Sequence, residues 1–78
     1  MFGFLIKAKG RALNQKFYAL NPLSGKTRRE IEAAVGTPNS VSAAAGGKVL
    51  CQWILPGFHI ALLFNGEICE GVTHQFVN

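Results

Sequence analysis

Three turn dipeptides, Gly46-Gly47, Pro56-Gly57 and Asn65-Gly66, punctuate the second half of this 78-residue chain. Glycine reaches the positive φ of a tight turn and proline presets the φ of its first corner, so each pair has a mechanism for reversing the chain. Between them lie four runs, Val41 to Ala45, Val49 to Leu55, Phe58 to Phe64 and Glu67 to Phe76. Runs this short, closed by turns this tight, predict four strands in an antiparallel meander. With a period of two, Phe58, Ile60, Leu62 and Phe64 share one face, and Cys51, Trp53 and Leu55 share the corresponding face of the preceding strand. The other face then carries Leu50, Gln52, Ile54, His59, Ala61 and Leu63. A water-facing sheet surface is ordinarily more polar than that. In the last run, Ile68, Val72 and Phe76 share parity with Glu70 and His74, and a bulge at Gly71 would separate them.

The first half has the other period. Phe2, Ile6, Leu13, Phe17 and Leu20 fall on one side of a 3.6-residue wheel, and Lys7, Arg11, Asn14, Gln15 and Tyr18 on the other. Gly10 weakens the middle, so the helix is expected over Gly10 to Leu20, with residues 1–9 a frayed or extended segment. Asn21-Pro22 ends it, because the residue before proline is pushed out of the α region. Thr27-Arg28-Arg29-Glu30 is a capping box that starts a second helix. Ile31, Ala34 and Val35 form its buried side, Arg28, Arg29 and Glu32 face water, and Gly36 stops it as a left-handed residue. The fold class expected is α+β, one domain over 1–78, with two N-terminal helices packed on one face of a four-stranded antiparallel meander sheet.

Gly25-Lys26-Thr27 resembles the tail of a phosphate-binding loop. Such a loop needs a glycine five residues before the Gly-Lys pair so that backbone amides can wrap phosphates, and Leu20 occupies that position. The triplet is read as a helix start. A chain this short buries only about 60–65% of its unfolded surface, too little for a nucleotide-binding α/β domain.

Residues 1–29 hold Lys7, Lys9, Arg11, Lys16, Lys26, Arg28 and Arg29 and no acid, whereas Lys48 is the one base among Glu30, Glu32, Glu67 and Glu70 thereafter. Such an end can serve nucleic acid, an anionic membrane or an acidic protein surface, or can be a solvated helix face. The candidate basic surface is Lys7, Arg11, Lys16, Arg28 and Arg29. The high apolar content, 49%, argues for surface left over for a protein partner or a second copy. A signal peptide places its charges before a longer apolar core, an order that MFGFLIKAKGR reverses. The location expected is cytoplasmic if Met1 is the native start and exported if the chain is processed from a longer one.

Cys51 and Cys69 match neither a metal-ligand spacing nor a disulfide framework. Together with His59 and His74 they hold ligand chemistry, but parity places Cys51 and His59 on opposite sides of the sheet, and no metal or other cofactor is expected. Glu67, Glu70 and His74 lack a converging nucleophile and oxyanion donors, so neither an enzyme nor a small-molecule substrate is expected.

Phe17, Gly25-Lys26-Thr27, Ile31, Val35-Gly36-Thr37-Pro38, Trp53 and Leu62-Leu63-Phe64-Asn65-Gly66 follow one another in an order with a known counterpart. It resembles that of the small helix-helix-sheet domains of the SmpA/OmlA (BamE-type) lipoproteins and of the β-lactamase inhibitor protein repeats. Lys26 stands where that family has Met. The resemblance implies scaffold roles for Gly25, Thr27, Ile31, Gly36, Pro38, Trp53, Leu62, Phe64 and Gly66. It also implies a non-enzymatic binding or assembly module that meets proteins through the other sheet face or the loops. The apolar character of the free face, read from alternation, makes Leu50, Gln52, Ile54, His59, Ala61 and Leu63 the expected partner-binding residues. The alternative expectation is a basic N-terminal surface that docks on nucleic acid or anionic membrane.

Cys51 and Cys69 fall on strands two and four, so about 9–10 Å of sheet should separate their backbones, too far for a disulfide. Thiol alkylation in denaturant without reduction should add two labels by intact mass; no label would mean that the strand order is wrong.

Overall fold

A computed structural model describes residues 2–77, with side chains described from residue 8 onward. Two helices, α1 (Phe2–Ala19) and α2 (Arg28–Val35), precede four strands, β1 (Ser40–Ala44), β2 (Lys48–Leu55), β3 (Phe58–Asn65) and β4 (Ile68–Val77). The strands pair in chain order as one antiparallel sheet, and the fold is α+β. The last hairpin closes one residue later than the dipeptide implied. Asn65 pairs with Ile68, which leaves Gly66 and Glu67 in the turn.

The core lies between the helices and one sheet face. Cys51, Trp53, Phe58, Ile60, Leu62 and Phe64 bury there against Phe17, Leu23, Ile31 and Val35. Phe17 meets the edge of Trp53 with ring centroids 5.2 Å apart and lies 5.9 Å from Phe58. The Trp53 indole N–H donates to the Gly36 carbonyl at 3.0 Å, so the core's largest side chain has its polar atom satisfied by the end of α2.

The first helix is longer than its glycine predicted. It runs unbroken from Phe2, and Gly10 is buried inside it. Here glycine serves contact rather than flexibility. A Cβ on Gly10 would stand 2.7 Å from the Pro56 carbonyl oxygen and 3.1 Å from the Phe58 Cβ, so only a bare backbone lets α1 lie this close to the β2–β3 turn.

The second helix opens as its sequence required. The Glu30 N–H donates to Thr27 Oγ1, and the Thr27 N–H donates to Glu30 Oε1, both at 3.1 Å. That backbone hydrogen bond holds the Glu30 carboxyl below its ordinary pKa. Ile31 and Val35 are buried but Ala34 is exposed, because the eight-residue helix presents only a narrow stripe to the sheet. Gly36 ends it at φ 89° and ψ 176°, a mirror-extended conformation rather than the left-handed helical one, which again demands glycine.

Gly25-Lys26-Thr27 does more than start a helix. Gly25 N–H donates to the Cys69 carbonyl and Cys69 N–H to the Lys26 carbonyl, each at 2.8 Å, and Arg28 N–H reaches the Glu67 carbonyl at 2.7 Å. The segment thus behaves as a short edge strand along the start of β4, satisfying backbone groups that would otherwise lie open.

Thr27→Ala should cost about 1 kcal/mol of stability in denaturant titration, through loss of the helix cap. The lowered Glu30 pKa adds a separate contribution, present above the unfolded carboxyl pKa and lost as pH falls through the folded value. The backbone N–H of residue 27, the larger cause of that lowering, survives the substitution, so the variant should keep most of this acid dependence. Gly10→Ala should destabilise the fold although alanine adds about 1 kcal/mol of intrinsic helix propensity. A more stable variant would show that α1 does not approach Pro56 this closely.

Candidate functional site

Cross-strand partners point to the same side of a sheet, so the register fixes what the helix-free face displays. One row reads Ile54, His59, Phe76; the next Gln52, Ala61, His74; the third Leu50, Leu63, Gly71. Beyond them Lys48 and Glu70 close an ion pair of 2.8 Å across β3. All six residues assigned to this face by alternation are on it. Their exposure is uneven: Ile54 is 46% exposed, Leu50 and Leu63 are half-buried, and Ala61 is only 3% exposed. Ala61 is a small side chain on an inner strand, flanked by larger neighbours, and contributes a floor rather than a contact.

The centre of the face is polar. His59 Nε2 lies 2.8 Å from Gln52 Oε1, and the His59 and His74 rings stand edge to face with centroids 4.9 Å apart. Apolar groups frame them, with Phe76 52% exposed on one side and Ile54 on the other.

Alternation alone did not assign His74 and Phe76, because β4 slips twice. Register shifts fall between Ala61 and Leu62 and between Leu63 and Phe64. Thr73 and Glu70 are the extra residues, which lets Cys69 and Val72 pair on the core side while Ile68, His74 and Phe76 pair on the other. Gly71, with φ 133°, was the one signal of this in the sequence. The Thr73 hydroxyl donates to the Ala61 carbonyl at 3.3 Å within the irregular stretch.

The four ligand-type side chains are divided by the sheet. Cys51 and Cys69 are buried free thiols on the core side, and burial raises the pKa of both, which suppresses thiolate chemistry. His59 and His74 are together on the other side.

Among the described residues, the basic side chains lie in several separate surroundings. Arg28 is bound to Glu32, Nε to Oε2 at 2.6 Å, an interaction that also raises the guanidinium pKa. Arg29 lines an open hollow of about 570 Å³ that also contains Glu32 and Glu67. Lys9 and Lys16 border a smaller groove over Leu13, Trp53 and Leu55. Arg11 is exposed, and five residues of helix separate it from Lys16, about 140° around the axis. The Lys7 side chain lies outside the described residues. No helix among the described residues is long and apolar enough to cross a membrane.

Scans against protein-family models, curated proteins and solved structures find no match for this chain. The resemblance to the helix-helix-sheet lipoprotein and inhibitor domains therefore rests on the sequence pattern alone.

Proposed function

We propose that this chain is a non-enzymatic protein-binding or assembly module, and that a protein partner or a second copy covers the sheet face opposite the helices. The observation that carries the reading is the pair of exposed apolar groups, Ile54 and Phe76, in a row across His59, with the half-buried Leu50 and Leu63 behind them. Each such side chain removed from water contributes up to about 1.5–3 kcal/mol. A hydrogen-bonded polar pair, Gln52 and His59, inside an apolar surround has the composition of an interface core. The resemblance to domains that bind proteins through this face or their loops is compatible with this reading.

Docking of the basic surface on nucleic acid or anionic membrane is the weaker reading. Among the described residues, the separation of Arg11 from Lys16 and the pairing of Arg28 with Glu32 argue against a single cationic stripe that tracks a phosphate backbone.

Ile54→Lys and Leu63→Lys should leave the fold intact by circular dichroism and abolish association measured by light scattering or capture of a co-purified protein. Unfolding of both would make this face part of the core. Unchanged association would move the interface elsewhere, and heparin retention at about 150 mM salt would then favour the basic surface.

A further inference from the structure

The two histidines of the free sheet face are spaced for a shared ligand. His59 on β3 pairs with Phe76, and His74 on β4 pairs with Ala61, so the imidazoles are diagonal neighbours on one side of the sheet. Their centroids are 4.9 Å apart. Two imidazoles bonded to one ion at about 2.0–2.1 Å, with a nitrogen–metal–nitrogen angle between square and tetrahedral, have centroids about 4.5–5.2 Å apart. The observed separation falls inside that window.

His59 Nε2 lies 2.8 Å from Gln52 Oε1. In the tautomer that donates to this acceptor, Nδ1 keeps its lone pair. A ligating histidine characteristically donates its other N–H to an oxygen in this way, which orients the ring and raises its basicity. Gln52 lies beside Ala61 in the row that ends at His74, so His59 and His74 supply two ligands and Gln52 the orienting group. His74 is exposed and His59 half-buried, which leaves room for water in the remaining coordination positions.

We propose that His59 and His74 form a divalent-cation site on the helix-free face, oriented by Gln52 and selective for imidazole-preferring ions such as Zn²⁺, Ni²⁺ and Cu²⁺ over Mg²⁺ and Ca²⁺. The site needs no partner protein, although it shares Gln52 and His59 with the docking role proposed for the same face.

The test is calorimetric titration of the full chain with Zn²⁺, beside Ni²⁺-induced broadening of its proton resonances. The expected result is saturable binding of one ion per chain, weakened about tenfold or more in His59→Gln and in His74→Gln, and also weakened in Gln52→Met, with thermal unfolding of all three variants close to that of the parent. Ni²⁺ should broaden His59, His74 and the Ala61 methyl before any resonance of the core face, a readout that needs no variant. Absence of saturation up to about 1 mM Zn²⁺, undiminished affinity in His74→Gln, or broadening centred on Cys51 and Cys69 would each overturn the proposal.

Discussion

The packing of Phe17 between Trp53 and Phe58 decides what the rest of the molecule can be. It joins the last turn of α1 to two adjacent strands through aromatic contacts of 5.2 and 5.9 Å, and the edge-to-face pair with Trp53 contributes about 0.5–1.5 kcal/mol beyond the area it buries. Trp53 extends the same contact to α2 through its hydrogen bond to the Gly36 carbonyl. Both helices are therefore referred to one side chain on β2. The close approach at Gly10 belongs to the same arrangement, since α1 can reach Phe58 only where nothing projects from its backbone.

Because two helices are only enough to cover one side of a four-stranded sheet, this seating determines which side stays open. The open side is not neutral. It carries Ile54 and Phe76 in water, a polar centre of Gln52, His59 and His74, and an ion pair at the Lys48–Glu70 end. The proposed binding and the proposed metal site both depend on one register, in which β4 must slip twice to bring His74 and Phe76 to this face while keeping Cys69 buried opposite Phe64. The irregular strand is thus a means of composing the face, and a regular one would have placed different side chains there.

Much of this was legible in the residues, for identifiable reasons. Turn dipeptides and a period of two located four strands and sorted Leu50, Gln52, Ile54, His59, Ala61 and Leu63 onto one face, because both signals are local. The capping box at Thr27 was readable because both halves of its hydrogen-bond exchange lie within four residues. What escaped was set by distant contacts. Gly10 reads as a helix weakener until Pro56 is known to lie against it. Gly25-Lys26-Thr27 pairs with a strand some forty residues later, which no local pattern encodes. Two bulges flanking Gly71 could be suspected from one glycine, but their positions depend on which β3 residues they face. The basic third of the sequence illustrates the same limit, since among the described residues helix rotation separates Arg11 from Lys16 and Glu32 pairs with Arg28.

The central claim is that neighbouring residues of β3 and β2 face opposite environments, one set sealed by aromatic packing and the other open. Paramagnetic attenuation of methyl resonances by a soluble probe, recorded at dilution where the chain is monomeric, tests this most directly. Ile54 and Leu63 should be attenuated while Ile60 and Leu62 on the adjacent core positions are spared. Attenuation of Ile60 and Leu62 with protection of Ile54 and Leu63 would place the helices on the other face and contradict the account.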